Sequence, residues 1–386
     1  MKITIGVLTA TRAEYGLLKP IIQALKKEEA FEVKILVTGA HLSVAHGMTY
    51  HEIEEDGLVI DKKIDILLAG SNPASISKTM GLAMIGFGEY FEQEKLDYLL
   101  VLGDRYETLA VCCAAMNARI PILHLYGGET TEGAIDEAIR HAITKMSYLH
   151  FTSTEEYRNR VIQLGEHPDR AFYVGAIGIE NALREPKLKK EELAAITGLT
   201  LEKPYGVVTF HPVTLENSAM EQCEQLLEAI EKMPDYEFII TGANADSGGN
   251  EVNVRLTEFA NKHNNVYFTY SLGMKRYLSA LKYASFVLGN SSSGLVEVPS
   301  FQVPTVNIGD RQKGRLRAES VIDCKPLSDE IVNAVEKSMS PEFRKKLPYV
   351  ENPYGDGDTS SKIVSIIKDK LLQGSVDLKK IFYDLR

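Results

Sequence analysis

Carboxylates gathered at two strand ends are the first sign of chemistry in this sequence. From Leu99 to Lys145 it reads LLVLGDRYETLAVCCAAMNARIPILHLYGGETTEGAIDEAIRHAITK. Asp104, Glu129, Glu132, Asp136 and Glu137 fall inside that stretch, with Arg105, Arg140, His124 and His141 among them. Carboxylates sharing a cleft raise one another's proton affinity, so one can serve as acid while a neighbour serves as base. Tyr98 to Leu102 and Ile120 to Leu125 are apolar throughout, as buried parallel strands are. Gly103-Asp104-Arg105 ends the first and Tyr126-Gly127-Gly128-Glu129 the second. Open α/β sheets place their ligands at the carboxyl ends of such strands. Asp136 and Arg140 are four apart on the following helix, as are Glu137 and His141, where exposed helix electrostatics is the plainer account. Arg105 reads either as a local ion pair with Asp104 or as half of a site with opposed charges. His124, inside an apolar strand, reads as a core histidine with its hydrogen bonds satisfied.

A second group of residues suits a diphosphate. Gly289-Asn290-Ser291-Ser292-Ser293-Gly294 follows an apolar run and precedes a helix expected to start near Leu295. Small residues let the backbone approach an anion, and helix-start N–H groups and hydroxyls donate to it. Serine N-caps would explain one such residue, but three exceed what a cap needs. Glu297, a helical turn further on, suits the diol of a ribose. Arg12, where the first strand feeds the first helix, and Arg311, after a later strand, occupy phosphate-facing positions. His211 ends another strand, before Pro212. No GxGxxG fingerprint follows a strand, so a dinucleotide cofactor is unsupported. Gly309 to Arg315 has phosphate-loop spacing, but Arg315-Leu316 stands where Lys-Ser/Thr would be needed.

The elements that must position these residues alternate strand, polar turn and helix. Strands are expected at Lys2 to Thr9, Phe31 to Val37, within Leu58 to Leu68, at the two runs above and at Tyr148 to Thr152. Helices are expected from Thr11 to about Glu28, from about Val44, and from Ser75 to about Glu94. After a connector around Val174 to Pro204 the pattern restarts, with strands at Tyr205 to Phe210, Glu237 to Thr241, Phe286 to Leu288 and Thr305 to Ile308. The alternation predicts two doubly wound α/β domains with parallel sheets, residues 1–174 and 175–359, and a small-molecule site in the cleft between them. At 386 residues the chain exceeds one hydrophobic core. The net charge of −10 argues against nucleic acid or an anionic membrane surface as partner. No apolar run approaches the ~20 residues of a membrane span. The N-terminus lacks a signal-peptide pattern, and four cysteines without paired spacing fit a reducing cytoplasm.

Taken in order, these motifs resemble the UDP-N-acetylglucosamine 2-epimerase family, which has the GT-B fold. The resemblance rests on TRAEYG at Thr11 to Gly16, GDR at Gly103 to Arg105, IDEAIRHAITK at Ile135 to Lys145, HPVT at His211 to Thr214, GNSSSG at Gly289 to Gly294, and the run Asp310 to Arg315. GDR and HPVT resemble the hydrolysing branch. That implies conversion of UDP-N-acetylglucosamine and water to N-acetylmannosamine and UDP through a 2-acetamidoglucal, on the way to sialic acid. A close relative acts on UDP-N,N′-diacetylbacillosamine toward legionaminic acid, and the sugar's C4 and C6 alone separate the two. Carried over by motif, Asp104 and Asp136 become the acid/base pair, Glu129 the third acid, and His211 a contact to the departing phosphate. Arg12, Arg105, Arg140, Asn244, Ser291, Ser292, Gly294, Glu297 and Arg311 become the substrate and UDP contacts. Several members carry Glu or His two residues after the strand His, where this chain has Tyr126. Either Glu129 supplies that carboxylate or Tyr126 does different work.

The family implies no metal and no other cofactor, a homodimer or homotetramer, and C-terminal helices, here 360–386, that cross back onto the first domain. Two other classes remain. A glycosyltransferase of the same fold would bind the same donor without needing the acids. A non-catalytic sugar-nucleotide sensor would keep Arg311 and the serines and tolerate loss of Asp104.

Overall fold

The computed structural model describes residues 2–68, 72–130, 135–212, 219–243, 249–373 and 377–385, and omits the side chains of Ala45 and Asn250. The chain divides into two compact units, Met1–Asn181 with Gly357–Arg386, and Ala182–Asp356. It leaves the first unit within the helix Ile177–Arg184.

In the first unit the strands are β1 (Ile3–Thr9), β2 (Phe31–Thr38), β3 (Lys62–Ile64), β4 (Tyr98–Leu102), β5 (Ile122–Leu125), β6 (Leu149–Thr152) and β7 (Ala171–Tyr173). They form one parallel sheet in the order β3-β2-β1-β4-β5-β6-β7. Alternate residues of its apolar strands serve opposite faces. Ile5, Val7, Leu100 and Leu102 join the core under the helices Arg12–Lys27 and Thr359–Leu372. Leu8, Leu99 and Val101 join the core under the helices Pro73–Gln93 and Tyr106–Asn117, which also buries Cys112.

Several elements differ from the sequence reading. The expected strand within Leu58 to Leu68 shrinks to three residues, because Asp61 folds back so that its Oδ2 accepts the Ile35 N–H at 2.7 Å. The helix expected from Val44 is a 3₁₀ turn, Val44–His46, closed by Gly47 in the left-handed conformation; the α-helix waits until Tyr50–Glu55. Among the described residues of the C-terminal segment, helix covers Thr359–Leu372, and residues 377–385 form a strap without helix. That helix contributes Ile363, Val364, Ile367 and Leu371 to the same core as Leu18, Ile21 and Leu25. Its first turn is pinned where Glu180 accepts the Ser360 N–H at 2.6 Å. In the strap, Lys380 reaches the carboxylate of Glu166 at 2.7 Å and the carbonyls of Lys145 and Ser147. Burial would push the Glu166 carboxyl up, but His150, Lys145 and Lys380 together hold it at about 2.

The second unit holds β8 (Tyr205–Thr209), β9 (Glu237–Thr241), β10 (Val266–Thr269), β11 (Phe286–Gly289), β12 (Thr305–Ile308) and β13 (Val321–Cys324). They too are parallel, in the order β10-β9-β8-β11-β12-β13. Each sheet is therefore wound outward in both directions from a central pair, and ligands are expected at its carboxyl edge. Strands β7, β10 and β13 escape the sequence pattern, being three or four residues long and half exposed at sheet edges. No described helix is long and apolar enough to cross a membrane.

Candidate active site

In the first unit the carboxyl ends of β4 and β5 and the helix Ile135–Met146 bring the expected acids to one place. The buried guanidinium of Arg140 joins them. Its Nη2 donates to Asp104 Oδ2, and its Nη1 donates to Glu137 Oε2 at 2.9 Å and to the Glu129 carbonyl at 2.8 Å. Arg140 thus pairs across the sheet edge and at i−3, whereas sequence spacing pointed to Asp136 at i−4. A helix side chain leans toward the N-terminus and reaches either neighbour, and the Asp104 carboxylate decides which. Asp136 is left beside Asp104 instead. Burial first and the Asp104 charge second raise the Asp136 carboxyl above its ordinary range, with Arg140 and Arg105 opposing. Glu137 Oε1 also faces His141 Nε2 at 3.1 Å, the plain helix pair the spacing suggested.

The turn after β5 is held from several sides. Tyr126 adopts a left-handed backbone at φ 67°, and its hydroxyl accepts the Ile177 N–H at 2.8 Å. Tyr126 therefore anchors the turn. At Gly128, with φ 82°, a Cβ would lie 2.2 Å from the Tyr157 carbonyl oxygen, so only glycine fits. Ser153 Oγ donates to Glu129 Oε1 at 2.8 Å, fixing that carboxylate at the strand ends of β5 and β6. His124 is a core histidine as expected. Its Nε2 lies 2.8 Å from the Gly103 carbonyl, and burial lowers its pKa to about 3, so the ring is neutral. Glu132 lies outside the described residues.

Arg105 does not pair with Asp104. Its Nε donates to the buried Glu107 at 2.6 Å and lies 3.9 Å from Glu14. Glu14 is the N3 residue of a capping box, and its Oε2 accepts the N–H groups of Ala10 and Thr11. Its other oxygen, the one 3.9 Å from Arg105, is buried without a hydrogen bond, and burial raises the carboxyl's pKa to about 7. An unfolded glutamate titrates near about 4.3. The folded chain therefore loses stability through this group as pH climbs from there to about 7, and the loss is constant above. Glu14→Gln should gain on the wild type by ~2 kcal/mol between pH 5 and pH 8. Thermal melts of both proteins across that range check it, and a pH-independent difference would contradict it. Arg12 is 72% exposed at its side chain and bonds Glu52 at 2.9 Å.

In the second unit, the carboxyl ends of β8, β9 and β11 surround a cavity of about 330 Å³. Thr209, Gly242, Tyr270, Leu272, Ser291 and Ser293 are among its lining residues. The expected helix near Leu295 is a single turn, Ser293–Val296, because Pro299 opens a 3₁₀ turn at Val298–Phe301. Ser292 occupies the N-cap position without making a side-chain cap, so helix capping does not explain its hydroxyl. Gly294 serves packing: a Cβ there would lie 2.8 Å from Thr305 Cγ2. Glu297 Oε2 is closed off from solvent without a hydrogen bond, and burial raises this carboxyl too.

Asn290 organises the loops around these residues. Its Oδ1 accepts the His211 N–H at 2.7 Å, its Nδ2 donates to the His211 carbonyl at 2.8 Å, and its own carbonyl accepts Arg311 Nη1 at 3.2 Å and Gln312 Nε2 at 2.9 Å. His211 is thus set by the side-chain amide of this buried residue and Arg311 by its backbone carbonyl. Asn253 brackets Ala243 in the same two-bond manner. Asn244, the next residue, lies outside the described residues, as do Val213 and Thr214. Sequence reasoning gave no role to Asn253 or Ser153, and it placed Asn290 in the diphosphate loop without its hold on His211, 79 residues away. Glu14 was legible in principle, since Thr11 and Glu14 have capping-box spacing.

The family model described as UDP-N-acetylglucosamine 2-epimerase matches residues 23–368. Polysialic acid biosynthesis protein P7 of Escherichia coli is 41% identical over 98% of this chain and 96% of its own length. The GDP/UDP-N,N′-diacetylbacillosamine 2-epimerase (hydrolyzing) of Campylobacter jejuni is 39% identical over 99% of both chains. Among solved structures, one from Listeria monocytogenes matches with a TM-score of 0.82 at 19% identity, covering 97% of this chain and 98% of its own. The Neisseria meningitidis UDP-GlcNAc 2-epimerase bound to UDP-GlcNAc matches with 0.77 at 20% identity, covering 95% of this chain and 100% of its own. These structural likenesses concern the GT-B-like fold.

Proposed function

This chain belongs to the UDP-N-acetylglucosamine 2-epimerase family, and from that premise we propose that it hydrolyses UDP-N-acetylglucosamine to N-acetylmannosamine and UDP with inversion at C2. The carboxylate pair carries the proposal: Asp104, bonded by the buried Arg140, stands beside Asp136, whose proton affinity is raised. A weakly acidic C–H needs a base of raised pKa. In the first step the C2–H bond and the C1–O bond to UDP break and a C1=C2 double bond forms, giving the 2-acetamidoglucal. Asp136 takes the proton and UDP leaves with the electron pair. Water then adds across the double bond: its oxygen bonds to C1, and a carboxyl group assigned to Asp104 or Glu129 delivers a proton to the opposite face of C2. The water's proton replaces the one that carboxyl gave up, and the proton held by Asp136 returns to solvent.

UDP departs as an anion, and fixed donors lower the cost of that charge. Arg311, Ser291, Ser292 and the His211 loop supply donors in the second unit. The unpartnered Glu297 oxygen is suited to accept from a ribose hydroxyl, and the cavity beside Tyr270 to receive the base. Arg12 and Arg105 would add charge from the first unit, Arg12 after release from Glu52. Asn244 and Arg140 complete the assigned contacts.

A second substrate is favoured by one observation, the 39% identity to a relative named for UDP-N,N′-diacetylbacillosamine. Proton NMR in deuterated water tests both sugar nucleotides in parallel. N-acetylmannosamine carrying deuterium at C2 is the expected product from UDP-N-acetylglucosamine. Turnover of the diacetamido sugar alone would move the assignment to it, and release of UDP without epimerised sugar would sink the elimination route. The proposal extends to a cytoplasmic homo-oligomer whose partner is a small nucleotide sugar rather than nucleic acid or membrane, in keeping with the net charge of −10.

A further inference from the structure

We propose that the buried carboxylates of Glu14 and Glu107 are a positioning pair for Arg105, holding its outer edge for a phosphate of the nucleotide and coupling nucleotide binding to pH. The inference rests on the nucleotide-sugar reading above and names the residues that act through Arg105. Three elements of the first unit meet at this group. Glu14 lies in the first turn of the helix Arg12–Lys27, Arg105 immediately precedes the helix Tyr106–Asn117, and Glu107 lies in the first turn of that helix. The turn after β2 closes it, since a Cβ on Gly39 would lie 3.5 Å from Glu107 Oε1 and 3.1 Å from the Ala10 carbonyl oxygen. The side chains of Glu107 and Glu14 are 2% and 10% exposed, whereas that of Arg105 is 41% exposed. Both carboxylates meet the guanidinium at Nε, the nitrogen nearest the chain, Glu107 at 2.6 Å and Glu14 at 3.9 Å. An arginine engaged at Nε keeps its Nη1–Nη2 edge for the bidentate pairing with phosphate that its planar fork favours. A structural ion pair would need one carboxylate here, and burying a second is costly.

The same geometry fixes the charge that a phosphate meets. Among the described residues, Arg105 is the one cation within ion-pair distance of either carboxylate. The other titratable groups nearby are engaged elsewhere or neutral. Arg12 bonds Glu52, Tyr15 bonds Asp56, and Asp104 is bonded by Arg140. The Tyr106 ring centre lies 5.7 Å from the guanidinium carbon, and burial raises its phenol. His41, in the turn after β2, is bonded to Thr9 and Thr49, and burial lowers it to about 4. Glu14 Oε1 and Glu107 Oε2 are both closed off from solvent without a hydrogen bond. With a proton on Glu14 the three side chains are neutral together; without it they carry one negative charge. Burial raises the Glu14 carboxyl to about 7, so the change falls in the neutral range. Anion binding and proton binding are then linked: the nucleotide favours protonated Glu14, and loss of that proton at higher pH weakens the nucleotide.

Calorimetric titration of the full chain with UDP tests both parts, with thermal melts to check that each variant is folded. Glu107→Ala should raise the dissociation constant by about tenfold, and Arg105→Ala by at least as much. Adding Glu107→Ala to Arg105→Ala should cost nothing further, because Glu107 reaches the nucleotide through Arg105 alone. Glu107→Gln keeps an oxygen for Nε and should retain most of the affinity. For the pH arm, a phosphate's second proton also titrates near about 6. The quantity read is therefore the ratio of the wild-type dissociation constant to that of Glu14→Gln, which keeps an oxygen for the Ala10 and Thr11 N–H groups and stays neutral. That ratio should be near one at pH 6 and rise to about three to ten at pH 8.5. A wild type that does not bind UDP overturns the nucleotide-sugar reading together with this inference. UDP binding indifferent to Arg105→Ala, or an equal loss from Glu107→Ala with and without Arg105, overturns the positioning role alone. A ratio that stays flat with pH overturns the coupling.

Discussion

Asp104→Asn should lower kcat by about 10²- to 10⁴-fold, the usual contribution of a positioned acid or base, while changing the dissociation constant for UDP by less than about twofold. The side chains explain why the two effects separate. Asp104 closes β4 in the first unit, and the residues proposed to hold the nucleotide are mostly in the second. Asparagine keeps an oxygen for Arg140 Nη2, and Arg140 retains Glu137 Oε2 and the Glu129 carbonyl. The guanidinium is therefore not stranded, and the fold should lose only about 1–2 kcal/mol. Product formation followed by chromatography and UDP binding followed by calorimetry check the two halves of the expectation. Parallel loss of UDP affinity would make Asp104 a binding residue instead of a proton carrier.

Gly289→Ala should be the most damaging single methyl group in the second unit. Gly289 ends β11 at φ 134°, where an L side chain is strained, and its Cβ would stand 2.0 Å from the Thr209 carbonyl oxygen. That oxygen cannot swing aside, because it accepts the Asn290 N–H at 3.1 Å, and Asn290 in turn brackets His211. Backbone strain and a backbone clash together should cost about 3 kcal/mol or more. In a unit of this size that corresponds to a fall of roughly 6–12 °C in Tm. Calorimetry of the variant, with UDP affinity measured below its melting point, would register both the lost stability and the displaced His211 loop. A melting point within a degree or two of wild type would mean that β8 and β11 separate more easily than their close approach implies.

The parallel sheets were legible because their central strands are short runs, apolar on both faces and bounded by glycine and polar turns. The edges were not. β7, β10 and β13 bury too little to carry a pattern, and β3 is cut short by a side chain, Asp61, that replaces a ladder bond with its own carboxylate. The candidate site divides along the same line. Asp104, Glu129 and Asp136 announce themselves because their positions follow apolar strands or start a helix. What holds them does not, since Ser153 and Arg140 act on partners 24 and 36 residues away, and in the second unit Asn290 holds His211 from 79 residues away. Local spacing assigned Arg140 to Asp136, and the folded chain gives it to Asp104. Sequence pattern reports where a strand ends; it does not report which remote carboxylate a guanidinium will meet.

The helix Thr359–Leu372 and the strap that follows it impose an order on synthesis. Most of the first unit is translated before the second, yet its core lacks Ile363, Val364, Ile367 and Leu371 until the second unit has been made in full. Until Lys380 emerges as well, the buried carboxylate of Glu166 has to manage with His150 and Lys145. The nascent first unit therefore waits with one face of its sheet only partly covered while an independent α/β unit forms behind it. Domains usually mature in the order in which they are translated. Here the second unit should be protease-resistant first, and the half carrying Asp104 and Asp136 should become so last.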